Sequence, residues 1–187
     1  MRFPRSSGSL VHPTSFPGKY GIGDFGNEAR EFIDFLEETG QKIWQILPLT
    51  PTGYGNSPYA SYSAFAGNIY LISPDVLVEK GLLTAEEAKK AELNSATKVH
   101  YEQAFALKDN LFSIAVERYF SNQNAEQKKQ YSAFKKRNKA WLQDYALFMA
   151  CGLDHNMQPW NTWEPSLAQR DVEAIKKAKK KYKKEIE

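Results

Sequence analysis

The sequence predicts an α/β fold, on three observations. A short strand candidate, a helical stretch and a compact apolar run follow one another before Pro48. The last of these, Ile43-Trp44-Gln45-Ile46-Leu47, is almost continuously hydrophobic, as strands buried in parallel sheets are. Beyond Pro74 the composition changes: seven of the nine prolines lie before residue 75, and the remainder is rich in lysine and glutamate. Residues 1–75 are therefore assigned to a βαβ portion and residues 76–187 to a helical one.

Taken in order, Ser9–His12 is the first strand candidate. Ala29, Phe32, Ile33 and Leu36 then fall on one face of a helix, with Asn27 placed to cap its start and Gly40 to stop it in a left-handed conformation. Asp34 falls on the solvent side of this helix, and Trp44, in mid-strand, is assigned to the core. A long loop, PLTPTGYGNSPYASYSAFAGN, separates the second strand from Ile69–Ile72; connections of this length are usually functional. Asp75 starts the next segment. Thr84-Ala85-Glu86-Glu87 reads as a capping box. Tyr101–Phe120 carries Tyr101, Ala104, Phe105, Phe112, Ala115 and Tyr119 on one side. Ala140–Cys151 is helical, with Gly152 as its stop. Val172, Ile175, Ala178, Tyr182 and Ile186 form the apolar stripe of a last helix, which carries no stop signal before Glu187, the pattern of an interrupted helix.

Composition excludes several classes. With 42% hydrophobic residues the chain can bury a core, and one cysteine, Cys151, allows no internal disulfide. The N-terminus has no apolar leader and no run approaches a membrane span, so a cytoplasmic protein is expected, without membrane association. The net charge of +3 is local to Asp171–Glu187, where seven lysines face four acids. Those lysines flank an apolar stripe and have no base-stacking platform beside them. They read as a solvated helix face, and no nucleic-acid partner is expected.

Gly21, Gly23 and Gly26 spell G-x-G-x-x-G, the outline of a dinucleotide cradle. The context is wrong. Eight residues separate His12 from Gly21, Gly26 sits ahead of the helix, and no acid follows the second strand until Asp75. The glycines are read as a tight turn into the helix, and neither cofactor nor metal is expected.

The stretch Thr52–Phe65 is more informative. It follows the C-terminal end of a parallel strand, where ligands bind in α/β folds. Its tyrosine rings can cover the apolar face of a sugar while Ser, Asn and Tyr oxygens meet the hydroxyls. Packing of the loop itself is the alternative use of the same rings.

The blocks PRSSGSLVHPTSFPGKYGIGDFGNEA, GQKIWQILPLTPTGYGNSPYASYSAFAGN and WLQDYALFMA, with Val99–Glu102 and PWNTWEP at 159–165, resemble the N-terminal region of the amylomaltases, the 4-α-glucanotransferases of glycoside hydrolase family 77. The similarity runs from about Arg2 to the end. It implies the first two strands of a (β/α)8 barrel, Ser9–His12 and Ile43–Leu47, followed by a helical insertion subdomain, and hence an incomplete barrel. It also implies retaining transfer of α-1,4-glucan segments by a carboxylate nucleophile and a carboxylic acid–base. The family's catalytic carboxylates lie on later strands, so none is assigned here; Asp24, Asp34 and Asp75 are not promoted to that role, and the chain is expected to be inactive alone.

The resemblance carries over three substrate contacts. Tyr59 stacks on the donor sugar, Ser57 hydrogen-bonds it, and Tyr54 matches an accessory glucan-binding tyrosine of some members. His12 and Asp24 lie on the first βα loop, on the active face, with no direct role assigned. The implied partners are maltooligosaccharides, starch- or glycogen-derived α-1,4-glucans, and the remaining C-terminal part of the barrel. A stand-alone glucan-binding module without catalysis is the alternative.

Overall fold

A computed structural model describes residues 4–93 and 98–186, apart from the side chain of Tyr54. Contacts divide the chain into two compact units, one running to Gln123 and one starting at Asn124.

In the first unit, β1 (Gly8–Leu10) and β2 (Ile43–Gln45) form a two-stranded parallel sheet joined by α1 (Asn27–Glu38). Gly8 pairs with Ile43, Ser9 with Trp44 and Leu10 with Gln45. Gly8 is needed there, because a Cβ would run into Ile43. Both strands are shorter than the apolar runs suggested. Leu10, Ile43 and Ile46 are exposed, because a two-stranded sheet has nothing to cover its second face. Trp44, assigned to the core from its sequence position, is only half-buried. Its Nε1 donates to the Val11 carbonyl at 2.8 Å, and the rings of Phe16 and Phe32 lie 5.8 and 5.3 Å from it.

The start of α1 corrects the sequence reading. Gly26 caps the helix, and Asn27 is its first residue, with no side-chain cap bond. Gly26 is pressed against Ser73 and Asp24, where a Cβ would sit 2.7 Å from Ser73 Oγ. Packing, and not capping chemistry, selects the residue. Gly40 does adopt the left-handed conformation, with φ of 69°. Ala29 and Leu36 are buried as their spacing requires, Ile33 is half exposed, and Asp34 faces solvent.

Three further helices complete the unit: α2 (Pro74–Glu79), α3 (Ala85–Lys89) and α4 (Tyr101–Ser121). Their core cluster joins Leu83, Ala88, Leu111 and Ala115 to Tyr20, from the segment before α1. Packing therefore runs across the compositional change at Pro74, and the division of contacts falls later, at Gln123. The capping box at Thr84 and Glu87 is formed as expected. Glu87 also receives both nitrogens of the Arg118 guanidinium, at 2.8 and 2.9 Å. Those bonds, followed by the bond from the Thr84 backbone N–H, hold the Glu87 carboxyl down at about 2, against 4.5 ordinarily. A depressed folded-state value stabilises the fold above the unfolded value and is lost as pH falls. The melting temperature is thus expected to fall between pH 4.5 and 2, and Glu87→Gln to flatten that fall; parallel calorimetric profiles for the two proteins would contradict it.

The second unit contains α5 (Ala125–Arg137), α6 (Leu142–Asp154), α7 (Pro165–Ala168), α8 (Val172–Lys181) and α9 (Lys183–Ile186). Leu147, Ala150, Cys151, Trp163, Ala178 and Tyr182 form its core, with Ile175 and Ile186 packed against them. The stripe of the last helix is thus used, except Val172, which is exposed. Gly152 is not the stop of α6 that the sequence suggested. It lies inside the helix, where Met157 Sδ would be 3.1 Å from a Cβ. The chain turns later, through Asn156 and Met157 with φ of 51° and 55°, and the Met157 N–H returns to the Gly152 carbonyl. Among the described residues no helix is long and apolar enough to cross a membrane.

Candidate functional site

The glycine-rich turn is held by its own backbone hydrogen bonds. The Gly21 N–H is bonded to the Gly18 carbonyl, Gly23 N–H to Thr14 and Phe25 N–H to Leu71. A Cβ on Gly23 would collide with the Pro13 carbonyl, so this glycine allows two backbone segments to touch. These three amides are thus turned to the protein's own backbone. Among the described residues no group of three or more His, Cys, Asp or Glu is placed to hold a metal.

The turn instead carries Asp24 inward. Asp24 is 4% exposed and Lys108, from α4, is 0% exposed; Lys108 Nζ donates to Asp24 Oδ2 at 2.7 Å. The same ammonium donates to the Tyr70 carbonyl at 2.8 Å and the Ile72 carbonyl at 3.1 Å. All three N–H bonds of the lysine thus have acceptors. Burial pushes the Asp24 carboxyl up and the Lys108 ammonium down, against the pull of each on the other. Asp24 is thus held in a buried pair with Lys108. Nothing local in the sequence marks Lys108, which sits four residues after Ala104 on what reads as an apolar face.

Between β2 and this clamp lies the aromatic loop. It is held in shape by its own backbone. Thr52 and Ser61 form an antiparallel bridge, and the Gly53 N–H donates to the Ala60 carbonyl at 2.6 Å. Gly55 and Asn56 turn the chain with φ of 73° and 55°. The Ser57 carbonyl accepts from the Ala60 N–H, and Ser57 Oγ accepts from the Tyr59 N–H at 3.3 Å. Asn68 closes the loop, its N–H donating to the Leu49 carbonyl at 2.8 Å.

On this frame Tyr59 is 74% exposed and Phe65 72% exposed, while Ser57 is half-buried. An exposed ring on a braced backbone is a stacking platform with little ordering left to do on binding. The structure thus brings Ser57 and Tyr59 together on one tight turn. Tyr54 lies in the preceding turn, Tyr54–Asn56, and the placement of its side chain falls outside the described structure. His12 is 8% exposed, and burial lowers its pKa, which favours the neutral imidazole. Asp75 accepts from the Tyr20 hydroxyl at 2.7 Å and pairs with Lys19.

A two-strand α/β unit thus carries a braced aromatic loop beyond its strand ends, a position where α/β folds bind ligands. Comparison with known proteins narrows it. The sequence pattern of the 4-alpha-glucanotransferases, glycoside hydrolase family 77, matches residues 11–187. The chain belongs to that family. It is 42% identical over 186 residues to the 4-alpha-glucanotransferase of Thermus thermophilus, covering 100% of this chain and 36% of the relative. It is 44% identical over 172 residues to that of Synechocystis, covering 92% and 34%. Among solved structures it resembles the amylomaltase from Streptococcus agalactiae in complex with acarbose, with a TM-score of 0.88 and 36% identity over 98% of this chain and 37% of that one. The chain thus spans about a third of the length of the relatives it matches.

Proposed function

We propose that this chain forms the glucan-binding wall of a 4-α-glucanotransferase. Tyr59 stacks on a donor glucose, Ser57 hydrogen-bonds it, and Tyr54 serves an accessory glucan surface. The strands β1 and β2 are the first two of a (β/α)8 barrel, and the helices that follow Pro74 are its helical insertion. The rest of the barrel, in the part of the relatives this chain does not span, supplies the carboxylates. The reaction is retaining transfer of an α-1,4-glucan segment from one maltooligosaccharide to the 4-hydroxyl of another.

The braced turn that holds Ser57 and exposes the Tyr59 ring carries this reading. An acarbose-bound relative that superposes on nearly the whole chain supports it. The assignment of no catalytic acid within residues 1–187 is supported by Asp24, the carboxylate of the first βα turn, which is buried against Lys108. Calorimetric titration of the chain with maltoheptaose is expected to show millimolar or tighter binding, and incubation with maltotriose is expected to release no glucose. Glucose release would overturn the absence of catalytic groups. Failure to bind would overturn the glucan wall.

A further inference from the structure

Beneath the aromatic loop lies a small cavity of about 180 Å³, lined among others by His12, Thr14, Ser15, Thr52, Asn56 and Asn68. It opens at the C-terminal ends of both strands, with His12 following β1 and Leu47 following β2. Its loop side is made by Asn56 and Pro58, the two neighbours of Ser57.

Three observations define what it can take. First, His12 is more than nine-tenths buried, and its Nδ1 has no hydrogen-bond partner among the described residues. Leaving a buried ring nitrogen unpaired is costly, so a site of this kind favours a ligand that pairs it. Second, among the described residues the walls offer hydroxyl and amide groups beside apolar ones, and no Asp, Glu, Lys or Arg. An ion is therefore a poor occupant and a neutral hydroxyl a good one. Third, the volume falls below the roughly 300–1,000 Å³ of pockets that enclose whole ligands. It suits one substituent of a larger molecule lying outside.

We propose that this cavity anchors a single hydroxyl-bearing arm of the bound glucan, with a His12 ring nitrogen as its hydrogen-bond partner. This inference rests on the glucan-binding reading above. It adds a contact from the first βα loop to those of the second, and the two meet around Ser57. The pocket would fix the rotation of the sugar, which a stacking ring alone leaves free.

The test uses the 187-residue chain with its three histidines labelled with nitrogen-15, maltoheptaose as probe, and the variants His12→Phe and Tyr59→Ala. The His12 ring nitrogens are expected to shift saturably with maltoheptaose while those of His100 and His155 stay in place. His12→Phe, which keeps a ring in the cavity, is expected to weaken binding about tenfold. Should that variant fail to fold, the ring shifts of the unmodified chain decide. Binding that is lost in Tyr59→Ala but unchanged in His12→Phe, with unmoved His12 signals, overturns the anchoring pocket and leaves the glucan wall standing. Absence of any maltoheptaose binding by the unmodified chain overturns both.

Discussion

Replacing Lys108 with methionine is expected to destabilise the first unit by about 3–5 kcal/mol, the usual cost of removing one partner from a buried ion pair. The substitution keeps most of the side-chain volume, so the loss is electrostatic. It leaves the Asp24 carboxylate buried without a cation and the Tyr70 and Ile72 carbonyls without their donor. Against a typical total stability of about 5–15 kcal/mol this is a large fraction. The double variant Asp24→Asn, Lys108→Met removes both charges and is expected to recover part of the loss. Urea unfolding of the three proteins measures it. A single variant within about 0.5 kcal/mol of the parent, the range of an ordinary surface change, would show that the pair carries no stability.

Tyr59→Ala is expected to have the opposite profile: little change in melting temperature and at least about tenfold weaker maltoheptaose binding. The ring is mostly in solvent, so truncating it creates no cavity. Aromatic anchors at interfaces commonly contribute more than 1 kcal/mol, and about 1.4 kcal/mol is tenfold. Tyr59→Phe keeps the stacking face and is expected to bind nearly as the parent does. Equal affinity in Tyr59→Ala would remove this residue from the site. Together the two substitutions separate folding from recognition, although Lys108 and Tyr59 belong to neighbouring parts of one unit.

Much of this architecture is legible in the sequence. The βαβ order follows from hydrophobic spacing and from Gly40, and the capping box at Thr84 from its residues alone. The loop stands out because tyrosine, glycine and proline crowd between two apolar runs. What sequence reading misses depends on partners far along the chain. Lys108 meets Asp24 across 84 residues, and nothing local distinguishes it from a solvated lysine. Gly26 takes the cap position from Asn27 because Ser73 leaves no room for a Cβ. Helix α5 buries none of its residues, so hydrophobic periodicity cannot find it; its Asn124–Gln127 capping box was the available signal. For the proposed site, the turn that carries Ser57 and Tyr59 is legible in its residues, but the burial of His12 is not, since the residues around it include Thr52, Asn56 and Pro58 of the distant aromatic loop.

The placement of Trp44 has a practical consequence. The four tryptophans divide unevenly, with Trp44 before Gln123 and Trp141, Trp160 and Trp163 after it. Trp44 is ringed by phenylalanines and its indole N–H is bonded to the backbone of the neighbouring strand segment. With the other three replaced by phenylalanine, its emission wavelength becomes an optical report on the sheet alone. The melting of the first unit can then be followed by itself, without a label.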